Sequence, residues 1–459
     1  MRLGCGVVFV GVLAYLLSWT LLTPPFMAPD EASHLIKTLS LPRAAWVTPS
    51  PDVEIRGDLF NPLLVARHLR TMPGRPQRKF SASEIADMRR AEWPPATAET
   101  VRVQTAAHIY PLLYYAVLFV LGQGVTAALS LSPYASLYAF RAVSAVLAAL
   151  LWTAVFARLG FLGRARGEVF ALLVLLPMVA LLGSSINPDA VFVPLCTLVM
   201  PFSFEAIFRG RSLPAAAVLL LALAFTKSAA ALLVFPTLVG LVAIAWLAGR
   251  ITGRHGIRWR NAAVLIVGVP AVFYATFYHW SPAYPVEIFP ERFHKTLLAF
   301  LGELGAHGRL LFASFWLALG LPDTLAPAAA YRLLGIVWAL NAAAFAWKFR
   351  ELEEKGRLGF LMGFSLLYGV GLLVGEYVHF ARTGYILQGR YFLPVALGFL
   401  VVASHPIRTL RRAFVLLLVG FNLYAIQLSV ERYYAGDWSL VWRAMPFVSE
   451  GEPSWQTGR

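Results

Sequence analysis

The chain has 459 residues, of which 59% are hydrophobic and only 14% charged. A soluble protein carries about a quarter charged residues, so cytosolic globular domains are excluded as the main content, and the apolar share excludes disorder. The net charge of +15, from 39 Lys+Arg against 24 Asp+Glu, would suggest nucleic acid in a soluble domain. In a polytopic membrane protein the same excess is what basic cytoplasmic connectors produce, and no nucleic-acid partner is needed.

Taken in chain order, the first apolar run is 3–23, behind Arg2. It is longer than the core of a signal peptide and no small-residue cleavage site follows it, so it reads as a retained helix with its N-terminus in the cytoplasm. The polar stretch 24–107 comes next, with nine acids and eleven Lys/Arg, broken by prolines throughout. Short amphipathic helices between turns are expected there. Further apolar runs lie near 109–131, 137–157, 169–186, 190–208, 213–226, 229–249, 261–280, 309–321, 331–347, 359–378, 390–404 and 413–430. They are continuous, not alternating, which disfavours a spanning β-barrel.

Five connectors are basic: Arg158/Arg164/Arg166, Arg209/Arg211, Arg250/Arg254/Arg258/Arg260, Lys348/Arg350/Lys355/Arg357 and Arg408/Arg411/Arg412. All five can be cytoplasmic only if two runs do not cross. The run 109–131, interrupted at Gly122-Gln123-Gly124, suits an interfacial or re-entrant hairpin, and 309–321 is too short to cross at about 1.5 Å per residue. The expectation is an all-α polytopic membrane protein, one transmembrane domain over 1–459, with about 11 transmembrane helices. Its N-terminus is inside and its C-terminus outside. The outer regions are a large first loop (24–136) with interfacial helices, a second loop (281–330) and a tail (431–459). No internal repeat is visible, which weakens an inverted-repeat transporter.

Polar groups near the bilayer core are expensive and therefore functional candidates. On the eleven-span topology they collect at the outer leaflet. Arg141 starts the second span. Asp189, in Asn187-Pro188-Asp189, stands at the turn between the third and fourth, and Lys227 ends the fifth. Glu376, His379 and Arg382 lie at the end of the ninth span, and Gln388 and Arg390 at the start of the tenth. Asp30, Glu31 and His34 follow the first helix closely. On a helix the two acids lie within a turn of His34, an arrangement suited to general acid/base work or to a helix start. Single charges at span ends also snorkel to headgroups, and Tyr110, Tyr114, Trp280, Tyr284, Trp316 and Tyr391 fit an aromatic belt. Two carboxylates and one histidine are a thin donor set, so no metal is expected. No phosphate-cradling loop, nucleophile elbow or zinc motif occurs, and no cofactor is implied.

Three pieces together carry a resemblance: Pro29-Asp30-Glu31-Ala32-Ser33-His34, Asn187-Pro188-Asp189, and Gln388-Gly389-Arg390-Tyr391-Phe392-Leu393-Pro394. In order and spacing the chain resembles the bacterial membrane family catalogued as domain of unknown function 2142, which is similar to the GT-C glycosyltransferases. The resemblance implies a multi-pass protein of the bacterial cytoplasmic membrane with an extracytoplasmic active face. It implies sugar transfer from a polyprenyl-phosphate donor to a glycan or cell-envelope acceptor, amid membrane lipid. It places the catalytic acid on Asp30 with Glu31 as neighbour, and a second acid on Asp189. His34, Arg141, Lys227, Glu376, Arg382, Gln388 and Arg390 are the candidates for substrate binding, with Lys227 and Arg390 offsetting the charge of a lipid-phosphate leaving group. Two other functions compete: a transporter or flippase of lipid-linked saccharides, which would spread charges through the midplane, and a non-catalytic membrane assembly protein, which would tolerate loss of any outer-face charge.

Overall fold

The computed structural model describes residues 4–40, 52–56, 75–92, 100–104, 107, 110–252, 256–277, 296–319, 324–352, 355–383, 388–404 and 407–448. Residues 281–295 and 320–323 of the expected second loop lie outside the described residues, as do Trp280 and the tail beyond 448; Tyr284 falls in the first of these stretches.

Among the described residues eight helices are long and apolar enough to cross a bilayer: Cys5–Leu22, Pro133–Gly163, Asp189–Arg209, Leu233–Ile251, Trp259–Thr276, Ala328–Glu351, Lys355–Ala381 and Arg408–Tyr434. A ninth is added if Arg166–Val174 and Pro177–Gly183, bent by 65°, form one span. The bend has a local cause. The residue before a proline is pushed out of the helical region, and Leu176 before Pro177 is extended at ψ 116. Of the eleven expected spans, Leu213–Thr226 has 14 residues, about 21 Å at helical rise. Gly389–Leu400 is likewise short. By length and composition the count therefore stands at eight or nine.

The helical architecture stands, and residues 24–136 add a small antiparallel two-stranded ribbon to it, Asp52–Arg56 with Thr100–Gln104. Alternating apolar residues at Val53, Ile55, Val101 and Val103 suit a strand period. Three expectations are corrected. The run 109–131 is not a broken hairpin but one helix, Leu113–Ala128, that runs straight through Gly122 and Gly124. Gly122 is a packing residue there, since a Cβ would stand 2.3 Å from the Phe140 ring. Tyr114 and Trp316 are core side chains, not belt residues. The apolar stretch at 309 turns out to be the second half of a longer helix, Leu297–Trp316. The short helices expected in the first loop are Glu31–Ser40 and Ala82–Arg89. Ser81 and Glu84 start the latter with reciprocal side-chain-to-backbone bonds.

One contiguous core runs through the bundle, around Leu16, Trp19, Trp152, Cys196, Phe273, Phe364 and Phe414. The five basic connectors meet at one end of it. Glu205 takes Arg158, Arg357 (3.4 Å) and the Ser212 hydroxyl (3.1 Å). Glu168 takes Arg411 (3.2 Å) and Arg412 (3.5 Å), and the Arg258 N–H donates to the Ile207 carbonyl. The other end carries the first loop docked on the C-terminal tail. There the Phe80 N–H donates to the Tyr433 carbonyl at 2.8 Å, Tyr134 Oη to the Ala444 carbonyl at 2.5 Å, and Arg89 to the Arg443 carbonyl at 2.8 Å.

Candidate functional site

The first helix stops at Thr23, where Pro24 and Pro25 cannot continue it. The chain then turns through Phe26 and Asp30, both at positive φ (62° and 58°), and enters the helix Glu31–Ser40. This turn separates two adjacent acids. Glu31 points inward and is fully buried. Arg141 grips it bidentately, Nε to Oε1 at 2.7 Å and Nη2 to Oε2 at 2.6 Å. Arg141 also donates to the carbonyls of Thr20, Thr23 and Pro24. The N–H groups of Phe26 and Ile186 complete the Glu31 carboxylate. Both groups expected at a substrate are thus engaged within the fold: each Glu31 oxygen accepts two hydrogen bonds, and Arg141 ties the end of the first helix to the helix Pro133–Arg158.

Asp30 turns the other way. Its side chain is 55% exposed, and Oδ2 accepts from Arg390 Nη2 at 2.7 Å. Burial by the surrounding walls pushes its carboxyl up, but the Arg390 charge and hydrogen bond, with Lys227 behind them, override this and hold it below its ordinary value. Arg390 is nearly inaccessible and lies 5.4 Å from the Tyr391 ring centroid, and its Nε and Nη1 have no geometric hydrogen-bond partner among the described residues. Its backbone comes from a 3-10 turn, Gly389–Val395, pinned where the Gly389 N–H donates to Ser314 Oγ at 2.7 Å.

A second ion pair stands beside the first. Lys227 Nζ meets Asp189 Oδ1 at 2.7 Å and lies 5.5 to 5.7 Å from the ring centroids of Tyr391, Phe192 and Tyr110. Asp189 opens the helix Asp189–Phe204, where a carboxylate is favoured by the helix dipole. His34 is buried, with Nδ1 2.8 Å from Tyr115 Oη. Burial pushes its imidazole down to about 3, so it is neutral at physiological pH. Lys37, one turn on, donates to the carbonyls of Ala107 and Tyr110, and burial lowers it to about 7.

The structure therefore gathers Asp30, His34, Asp189, Lys227 and Arg390. Glu376 is half-buried in the helix Lys355–Thr383 with no ion pair among the described residues, and it does not join them. The Arg382 side chain lies outside the described residues, and Gln388 enters only through its carbonyl, which accepts the Tyr391 N–H. Among the described residues no cluster of three His, Cys, Asp or Glu could hold a metal. Sequence reasoning placed Tyr110 and Tyr391 in an aromatic belt and missed Tyr115; the ring contacts of all three come from packing. It also missed the side chain of Asn187, although an Asn two residues before an Asp is a recognisable turn signal.

The sequence model of a family described as "Predicted membrane protein (DUF2142)" matches residues 13–401. The match covers most of the chain, and the chain belongs to that family. No curated protein and no solved structure matches it.

Proposed function

We propose that this member of the DUF2142 family is a GT-C-type membrane glycosyltransferase that moves a sugar from a polyprenyl-phosphate donor to a glycan or cell-envelope acceptor on the outer face of the bacterial cytoplasmic membrane. The observation that carries the reading is Arg390: a buried guanidinium, paired to an accessible carboxylate, with two nitrogens unpartnered among the described residues, near a second cation, Lys227. Unpaired buried donors are costly. A phosphate oxyanion is the ligand they fit, with Arg binding through its planar fork and Lys as a point charge.

In the proposed step the acceptor hydroxyl oxygen attacks the anomeric carbon. The carbon–oxygen bond to the phosphate breaks with its electron pair going to the phosphate, and the hydroxyl proton passes to Asp30. Arg390 and Lys227 offset the charge developing on the leaving group. A single displacement inverts configuration and needs no second carboxylate as nucleophile, consistent with Glu31 being engaged elsewhere. Donor binding also prepares the base. When the phosphate shares Arg390, the field on Asp30 weakens and its affinity for a proton rises. Neutral His34, buried one turn from Asp30 and held by Tyr115, orients the base.

The topology proposed with this function has eleven crossings, N-terminus inside and C-terminus outside, with the site extracytoplasmic. It is supported by the gathering of all five basic connectors at the end opposite Asp30, since cytoplasmic loops are the basic ones. The two short segments cross where the bilayer thins locally.

Transfer from a labelled polyprenyl-phosphate sugar in liposomes tests the reading. Asp30→Asn should lower turnover by about 100-fold or more, the size expected for loss of a general base, with donor binding kept. Arg390→Ala and Lys227→Ala should each weaken polyprenyl-phosphate binding. Unchanged lipid affinity in both cation variants, or full transfer by Asp30→Asn, removes the proposal.

A further inference from the structure

We infer that Asn187 is a positioning residue that sets the Asp30 carboxylate on Arg390 by locking the Pro29–Asp30 turn to the first turn of the helix Asp189–Phe204. The inference rests on the glycosyltransferase reading only for its kinetic consequence.

Asn187 is buried at the turn between two helices. Its two side-chain ends reach in opposite directions: Nδ2 donates to the Pro29 carbonyl at 2.9 Å, and Oδ1 accepts from the Asp189 N–H at 2.9 Å. The amide thus joins the peptide unit before Asp30 to the one that carries Asp189. A carboxylate cannot donate to the carbonyl and an aliphatic side chain can serve neither partner, so the pair of bonds needs an amide.

The turn needs such a lock. Asp30 is in the left-handed region at φ 58°, which is unfavourable for a residue with a Cβ and persists only where the surroundings over-determine it. One restraint is Glu31, clamped by Arg141 on the C-terminal side of the turn. Asn187 is the restraint on the N-terminal side, through Pro29. The carboxylate between them then meets Arg390 at 2.7 Å. Asn187 touches neither cation and faces no reacting atom. Its effect is transmitted through the position of Asp30, whose charged and titratable surroundings are His34 on the helix that follows it, Arg390 on the 3-10 turn, Lys227 across the site with its partner Asp189, and the phenols of Tyr110 and Tyr115.

Two variants separate positioning from general stability. Asn187→Ala removes both bonds, whereas Asn187→Asp keeps the acceptor for Asp189 and loses the donor to Pro29. The titration of the Asp30 carboxylate is followed by carbon NMR of aspartate-labelled protein in detergent, assigned with Asp30→Asn. Loosening Asp30 from Arg390 should raise its midpoint by about 0.5 pH unit or more in the folded Asn187→Ala protein, which adds no charge, the scale of a weakened neighbouring charge; in Asn187→Asp the introduced carboxylate adds to the rise. With labelled donor, both variants should lose kcat by about 10-fold or more and keep the donor Kd, since the cations stand on other elements. An Asp30 midpoint unchanged in Asn187→Ala overturns the inference. The NMR titration stands apart from catalysis, so wild-type protein without transfer activity, yet with a shifted midpoint in the variants, overturns the glycosyltransferase reading and leaves the positioning role in place.

Discussion

Asp30 and Glu31 are adjacent, chemically alike and oppositely used. A positive-φ turn sends Glu31 into a fully buried pair with Arg141 and leaves Asp30 accessible. Breaking a buried ion pair from one side leaves an uncompensated charge and costs about 3–5 kcal/mol. Glu31→Gln is therefore expected to lower the thermal unfolding temperature in detergent sharply, while Asp30→Asn shifts it little. Equal Tm values for the two variants would contradict the division of roles. The pH dependence of the Asp30–Arg390 pair follows from its sign. The folded-state pKa of Asp30 lies below its unfolded value, so the pair's contribution to stability is complete above the unfolded value and is lost only as pH falls through the lower folded one. The proposed base is ionised throughout the neutral range, and the acid limb of kcat/KM for transfer, which reports the donor-free protein, should fall below the ordinary carboxylate range. The general lesson at this scale is that residue type nominated both acids, whereas the backbone turn chose between them.

At the scale of elements, the site depends on how closely two of them approach. A Cβ on Gly389 would stand 1.8 Å from the Leu311 carbonyl oxygen and 2.7 Å from the Phe315 nitrogen. These are backbone atoms of the helix Leu297–Trp316 that cannot rotate away, and the Gly389 N–H is bonded to Ser314 of the same helix. Gly389→Ala is expected to push the 3-10 turn off that helix and to carry Arg390 with it. Polyprenyl-phosphate binding should then fall toward the level of Arg390→Ala, although residue 390 is intact, and wild-type affinity in Gly389→Ala would show that the close approach does not position the cation. The Gln-Gly-Arg-Tyr piece was visible in the sequence as a unit. Its glycine could not be explained there, because the helix it leans on is about 75 residues upstream.

For the whole molecule, the proposed orientation predicts which surfaces a membrane-impermeant thiol reagent reaches in intact cells. In a background without Cys5 and Cys196, cysteines replacing exposed Arg211 and Arg350 should stay unlabelled from outside, and cysteines replacing Ser83 and Asp437 should label. External labelling at Arg211 or Arg350 would reverse the topology and place the Asp30 site in the cytoplasm. Much of this architecture was legible from local properties alone. Apolar run length located the helices, and the Lys/Arg asymmetry grouped five connectors that the fold does bring together. Both are sums over neighbouring residues and need no knowledge of distant contacts. The same local reading failed at Gly122, taken as a break when it is a seat for Phe140, and at the ribbon in the first loop, whose two strands are about 50 residues apart. It also nominated Arg141 and Glu376 alongside Arg390, all charges near one leaflet. Only the tertiary structure sorted them. Arg141 is spent on Glu31, Glu376 stands apart, and Arg390 meets Asp30 across 360 positions of chain. Composition and charge order determine which segments enter the membrane and which end of the bundle is basic, because those are transfer energies of the segments themselves. Which buried charge is satisfied within the fold and which keeps donors unpaired depends on the side chains packed around it, and that is decided only when the helices meet.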